Sequence, residues 1–151
     1  MTSPTAARRS WMGVLARADP AELAQAWDQL GLDVAHDWLR APEVGMAMVR
    51  GRAGGDGTAF NLGEMTMTRC TVRVDGGRTG FGYVAGRDKR HAALAALCDA
   101  LLQDPARHHR VMDAVVVPLA AAHASRRADR ARRAAATRVD FFTMVRGDDP
   151  T

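Results

Sequence analysis

Between residues 33 and 85 the chain abandons the 3.6-residue period that organises its two ends, and this change of rhythm sets the fold class. Upstream, Ser3-Pro4-Thr5 can open a helix on which Trp11, Leu15 and Ala18 share one side. Asp19 is placed to cap a second helix, with Pro20 at the first position, where its missing N–H costs nothing, and Glu22 in a capping-box arrangement. Leu23, Trp27 and Leu30 form its stripe, and Gly31 ends it. Downstream, Asp88 is the natural N-cap of a helix with His91, Leu94, Cys98 and Leu101 on one face. Pro105 begins another that runs to Val117, Pro118 interrupts it, and residues 119–137 read as a long alanine-rich helix.

The middle third reads as strands. Residues 34–40 and 44–50 are two short ones, separated by a turn at Ala41-Pro42-Glu43. Four glycines within 51–57 make a loop, the tip of a long hairpin. A long strand follows over 60–74, where the apolar positions move from Met65 and Met67 to Cys70, Val72 and Val74, so a bulge is expected near Thr68-Arg69. Asp75-Gly76-Gly77 turns the chain into a returning strand over 79–85. The expectation is an α+β fold: two N-terminal helices, a roughly four-stranded antiparallel sheet, helices packed on it, and a long C-terminal helix with an extended docking tail.

A chain of 151 residues has room for one domain, which argues against a two-domain enzyme with its own interdomain cleft. At 47% hydrophobic and 25% charged residues it can build a core without staples, so Cys70 and Cys98, 28 positions apart and matching no metal spacing, are expected as reduced, buried thiols. Residues 1–17 are polar and periodic, unlike a signal peptide. The longest apolar run, 114–122, is broken by Pro118 and far short of the roughly 20 residues of a membrane span. These features point to a soluble, cytoplasmic protein.

The charge excess, 21 basic against 17 acidic residues, has one address. Between 120 and 138 stand Arg126, Arg127, Arg130, Arg132, Arg133 and Arg138 against Asp129 alone, six positive charges to one negative. Such a cluster serves nucleic acid, a polyphosphate ligand or an acidic partner, or is simply a solvated helix face. Ala121, Ala124, Ala128, Ala131 and Ala135 form the opposite stripe, with methyl groups only. Alanine favours the helix, yet so small a face buries too little area to hold it on the domain. The helix therefore either packs very closely on something or projects. After it, Val139, Phe141, Phe142, Met144 and Val145 are apolar residues that belong to the core or dock into a partner, and the docking reading divides the chain into a domain over 1–118 and a partner-binding arm over 119–151.

Residues capable of chemistry are scattered. His36, His91, His108, His109 and His123 form no metal-ligand spacing with one another, a cysteine or a carboxylate, and no nucleophilic triad is visible, so no catalytic residue and no metal site is assigned. The loop over 51–57 lacks the Gly-Lys-Ser/Thr ending of a nucleotide loop. At 82–91 a strand passes through Gly86 into a helix start carrying Arg87, Lys89 and Arg90, where free amides and cations suit an anion. The alternative there is an ordinary capped helix with solvated bases. A nucleic-acid-binding role for the arginines of 126–138 is the other functional class, although no aromatic is interleaved among them.

The succession of Trp11-Met12, Pro20-Ala21-Glu22-Leu23, Arg40 with Glu43 and Gly45, Gly63-Glu64, Thr68-Arg69, Gly86-Arg87-Asp88-Lys89 with His91-Ala92, and Arg138-Val139-Asp140-Phe141-Phe142-Thr143-Met144-Val145-Arg146-Gly147-Asp148 resembles the PhnG family, over residues 8–148. PhnG proteins are subunits of the bacterial carbon-phosphorus lyase machinery. The resemblance implies action with PhnH, PhnI and PhnL in displacing adenine from ATP by a phosphonate, giving a ribose 1-phosphonate 5-triphosphate. A later radical step belongs to PhnJ, with its iron–sulfur cluster and S-adenosylmethionine. It also implies a symmetric core of two copies each of PhnG, PhnH, PhnI and PhnJ, with the nucleosidase chemistry on PhnI. This chain would then be an accessory subunit of a multisubunit enzyme, binding no cofactor itself, with ATP a substrate of the complex. On that view the C-terminal arm lies across PhnI, with Phe141, Phe142, Met144 and Val145 as anchors and Arg138, Asp140 and Arg146 at the rim. Arg87, Lys89 and His91 are the residues expected to hold a triphosphate or phosphonate; the structural alternative is that Asp88 caps the helix and His91 packs toward the sheet.

Overall fold

A computed structural model describes residues 4–137. Helices α1 (Pro4–Arg17) and α2 (Pro20–Leu30) lead into β1 (His36–Arg52), β2 (Ala59–Val74) and β3 (Thr79–Ala85), followed by α3 (Lys89–Leu102), α4 (Pro105–Val111) and α5 (Val117–Ala136). The strands form one antiparallel sheet in the order β1-β2-β3, with short 3-10 turns at Ala53–Gly55 and Asp75–Gly77. The fold is α+β as expected, with three strands.

The helix ends follow from local chemistry. Asp19 accepts hydrogen bonds from the amides of Ala21 and Glu22, Pro20 takes the first turn, and Gly31 closes α2 in the left-handed conformation. The capping box is half formed, because Glu22 turns its carboxylate to Arg126, whose Nη1 donates to Oε1 at 2.6 Å. Asp88 accepts from the His91 amide, and Asp104 caps α4 the same way through Ala106.

Helix α3 is the centre of the molecule. It lies against the face of the sheet that buries Thr68, Cys70, Val72, Val74 and Val84, and α1, α2 and α4 close over its other sides. Between His91 and Leu102 only Ala93 retains partial exposure, so the single stripe read from the sequence understates a helix wrapped all round. Close approach to β3 requires glycine: a Cβ on Gly80 would run into the Ala96 carbonyl, and one on Gly82 into that of Ala92. Leu15, Leu23, Leu101, Leu102, Val111 and Val115 complete the core, each worth about 1.5–3 kcal/mol when fully buried. Both cysteines are free and buried; burial pushes the Cys70 thiol up to about 11 and that of Cys98 up to about 12.

Three expectations are corrected. The stretches 34–40 and 44–50 are one strand, β1, and Ala41-Pro42 is a bulge opposite Cys70, with another at Leu39. An edge strand tolerates proline because its outer N–H has no ladder to join. No bulge falls at Thr68-Arg69: β2 alternates strictly there, with Thr68, Cys70, Val72 and Val74 inward and Met65 and Met67 on the open face. Pro118 does not interrupt the helix either. Residues 105–136 run on through a π-helical turn at Met112–Val116, which widens the backbone just ahead of the proline ring.

Candidate interaction surface

The residues expected at an anion site part company. Arg87 and Lys89 stand exposed at the start of α3, whereas the His91 ring is buried, and its Nε2–H donates to the Leu15 carbonyl at 2.8 Å, closing the end of α1 onto α3. Arg90 reaches toward Asp28 of α2 at 3.7 Å. Among the described residues no three histidine, cysteine or carboxylate side chains gather as a metal site.

Among the described residues the one fully buried charge is Asp99 on α3, which no sequence motif marks. Its carboxylate takes Arg8 from α1 through Nε at 3.1 Å and Nη2 at 2.7 Å, the Trp11 indole N–H at 2.9 Å, and the backbone N–H of Phe81 at 3.0 Å. Four donors satisfy the anion, and three elements are tied at one point. Arg8 also donates to the Thr79 carbonyl and lies over the Phe81 ring, while Gln103 donates to the same carbonyl. The arrangement is a structural lock; no proton or nucleophile is left available in it. His108 is likewise engaged, donating from Nδ1 to the Leu102 carbonyl with its ring edge on Trp11.

What the described surface does offer is uncovered apolar area. One face of the sheet carries no helix and exposes Met65, Phe81 and Tyr83. Beyond the last β3 pairing, Met67 with Ala85, strands β1 and β2 continue as a two-stranded ribbon to Arg52 and Ala59. No residue of β1 is buried. The ribbon root is fastened by Glu43, which accepts from Arg69 at 2.8 Å and Arg40 at 3.0 Å; the Arg69 hydrogen bond leads in holding its carboxyl below the usual range. Helix α5 is the other sparsely covered element among the described residues, joined to the domain near its start. Leu119 is its only buried residue, and Ala121, Ala124, Ala128, Ala131 and Ala135 are all exposed. Arg126 is held by Glu22 and Arg132 by Asp129. The expected anchors Phe141, Phe142, Met144 and Val145, with Arg138, Asp140 and Arg146, lie outside the described residues.

The family model for the phosphonate metabolism protein PhnG matches residues 6–147. The chain belongs to the PhnG family. It is also 47% identical over 144 residues, covering 95% of its own length and 92% of the relative's, to the alpha-D-ribose 1-methylphosphonate 5-triphosphate synthase subunit PhnG of Rhizobium meliloti (strain 1021). The family match reaches through the alanine-faced helix and into the region of the expected anchors, so this part of the chain is common ground within the family.

Proposed function

We propose that the chain is an accessory subunit of an alpha-D-ribose 1-methylphosphonate 5-triphosphate synthase, supplying binding surface to an enzyme whose reacting groups lie on other subunits. The observation that carries this reading is the 47% identity, across 95% of the chain, to a protein bearing that subunit name. The described residues support it. Every buried polar side chain from which chemistry could start is committed to holding elements together, His91 to α1 and Asp99 to α1 and β3. The surface, in turn, leaves a helix and a strand ribbon without a covering layer.

On this reading the complex displaces adenine from ATP with a phosphonate, and PhnI, PhnH, PhnJ and PhnL are the partners. The arm over 119–151 docks on PhnI through Phe141, Phe142, Met144 and Val145, with Arg138, Asp140 and Arg146 at the polar rim. Any direct hold on the triphosphate falls to Arg87 and Lys89, since the His91 ring is used internally. The test is co-expression with the other subunits, purification through a tag on this chain, and assay of adenine release from ATP and a phosphonate. Release by the complex and none by the chain alone is the expected result; release by the isolated chain would overturn the accessory role.

A further inference from the structure

Each edge of the sheet is blunted over its first part, by side chains on β3 and by bulges on β1. Ladder contacts from Thr66 and Val74 of β2 run toward β3, as the bonds from the Gly86 amide to Thr66 and from the Val74 amide to Arg78 show. Alternation then turns the odd-numbered residues of β2 toward β1, and leaves the backbone N–H and C=O of Val44, Met46 and Met48 pointing away from the sheet. On β3 the outward groups are Thr79, Phe81, Tyr83 and Ala85, and side chains stop the first half of that edge: Asp99 takes the Phe81 N–H, and Arg8 and Gln103 take the Thr79 carbonyl. On β1 the bulges at Leu39 and Ala41-Pro42 blunt the first part of the edge, and beyond them, among the described residues, no side chain caps it. Open edges are ordinarily blunted because they template pairing with another chain.

The same three residues that present unpaired backbone also present an exposed apolar row, with Val44 40%, Met46 64% and Met48 52% exposed. A two-stranded ribbon is marginal by itself, so this one gains order from whatever covers it. Resting on the subunit reading above, we propose that the outer edge of β1 over 44–50 is a docking site for an extended segment of another synthase subunit, which adds as a fourth strand. Its side chains over Val44, Met46 and Met48 are apolar, and an acidic residue meets Arg50 at the end of the row. A second copy of this chain does not fit the charges. The carboxylates of β1 are Asp37, held by Arg73, and Glu43, held by Arg40 and Arg69, so β1 has no free acid to set against Arg50 of a copy.

The experiment compares the full-length chain with a Met46→Glu, Met48→Lys double variant, each co-expressed with the other synthase subunits. Met48 lies opposite Glu64, so lysine there suits the free ribbon, and the thermal midpoint of the isolated variant should match that of the parent. The expected results are at least a tenfold drop in the partner subunits recovered with the variant, and at least a tenfold slowing of amide exchange at Val44, Met46 and Met48 of the parent on assembly. Gly45 and Ala47, whose amides face β2, should already be slow in the free chain. A variant that assembles as well as the parent, with exchange at 44, 46 and 48 unchanged, overturns the docking site and leaves the subunit reading intact. Protection of those amides in the isolated chain that rises with its concentration assigns the edge to a second copy and also overturns it. If the parent recovers no partner subunit, the subunit reading falls and this inference with it.

Discussion

Asp99 shows how one residue can decide the arrangement of several elements. Its carboxylate has no solvent exposure, and the hydrogen bonds from Arg8, Trp11 and Phe81 balance the loss of water. Removing it by Asp99→Ala leaves Arg8, the Trp11 N–H and the Phe81 amide without their acceptor; the expected cost is about 3–5 kcal/mol, read from denaturant unfolding. In the sequence Asp99 is one acid in the apolar stretch 92–102, and its main partner lies 91 positions away. The buried thiols predict a pH effect of definite sign. Cys70 and Cys98 ionise near 11 and 12 in the folded chain against an ordinary value of 9, so above pH 9 the unfolded state binds fewer protons than the folded one and stability falls. The expected slope is about 1.4 kcal/mol per pH unit for each thiol between 9 and its folded value, and the Cys70→Ala, Cys98→Ala variant should flatten it in unfolding titrations from pH 8 to 11.

Among the elements, the caps and turns were legible in the sequence and the length of β1 was not. Asp19, Asp88 and Gly31 act within four residues of themselves, and each stands where its chemistry puts it. Ala41-Pro42-Glu43 looks like a turn by the same local logic, but β2 supplies a continuous partner on which Ala41-Pro42, two residues set against one, bulge. Helix α5 went the other way. Its methyl-only stripe implied a helix that cannot hold itself down, and the stripe is exposed along its whole length. The core formed by the described residues closes at Leu119. Deletion of 139–151 should therefore leave the thermal midpoint of the isolated chain unchanged while abolishing recovery of PhnI in co-purification; loss of the folded state on deletion would assign the tail to this chain's own core.

At the scale of the whole molecule, the buried Asp99 and His91 are satisfied within the fold, while the cations at the start of α3 stand exposed. A ligand role for the start of α3 is measurable only in the assembled enzyme. The Arg87→Ala, Lys89→Ala variant should assemble normally, because both side chains are exposed; if these cations hold the triphosphate, its KM for ATP rises about tenfold or more with subunit recovery unchanged. An unchanged KM assigns Arg87 and Lys89 to solvent.

The α+β order of elements, their caps, the buried cysteines and the exposed alanine stripe of the C-terminal helix could be read from the sequence because they rest on periodicity and on contacts a few residues long. Family membership was legible as well, through motifs spread along the chain. The tertiary structure alone decided that His91 serves α1, that Asp99 locks three elements, and that side chains cap the β3 edge at Thr79 and Phe81 while β1 beyond its bulges has no such cap among the described residues. Those outcomes depend on which strand pairs with which and in what register, since register determines where each amide and carbonyl points. No local pattern carries that information: the groups that meet Asp99 come from positions 8, 11 and 81, and only folding brings them to one place.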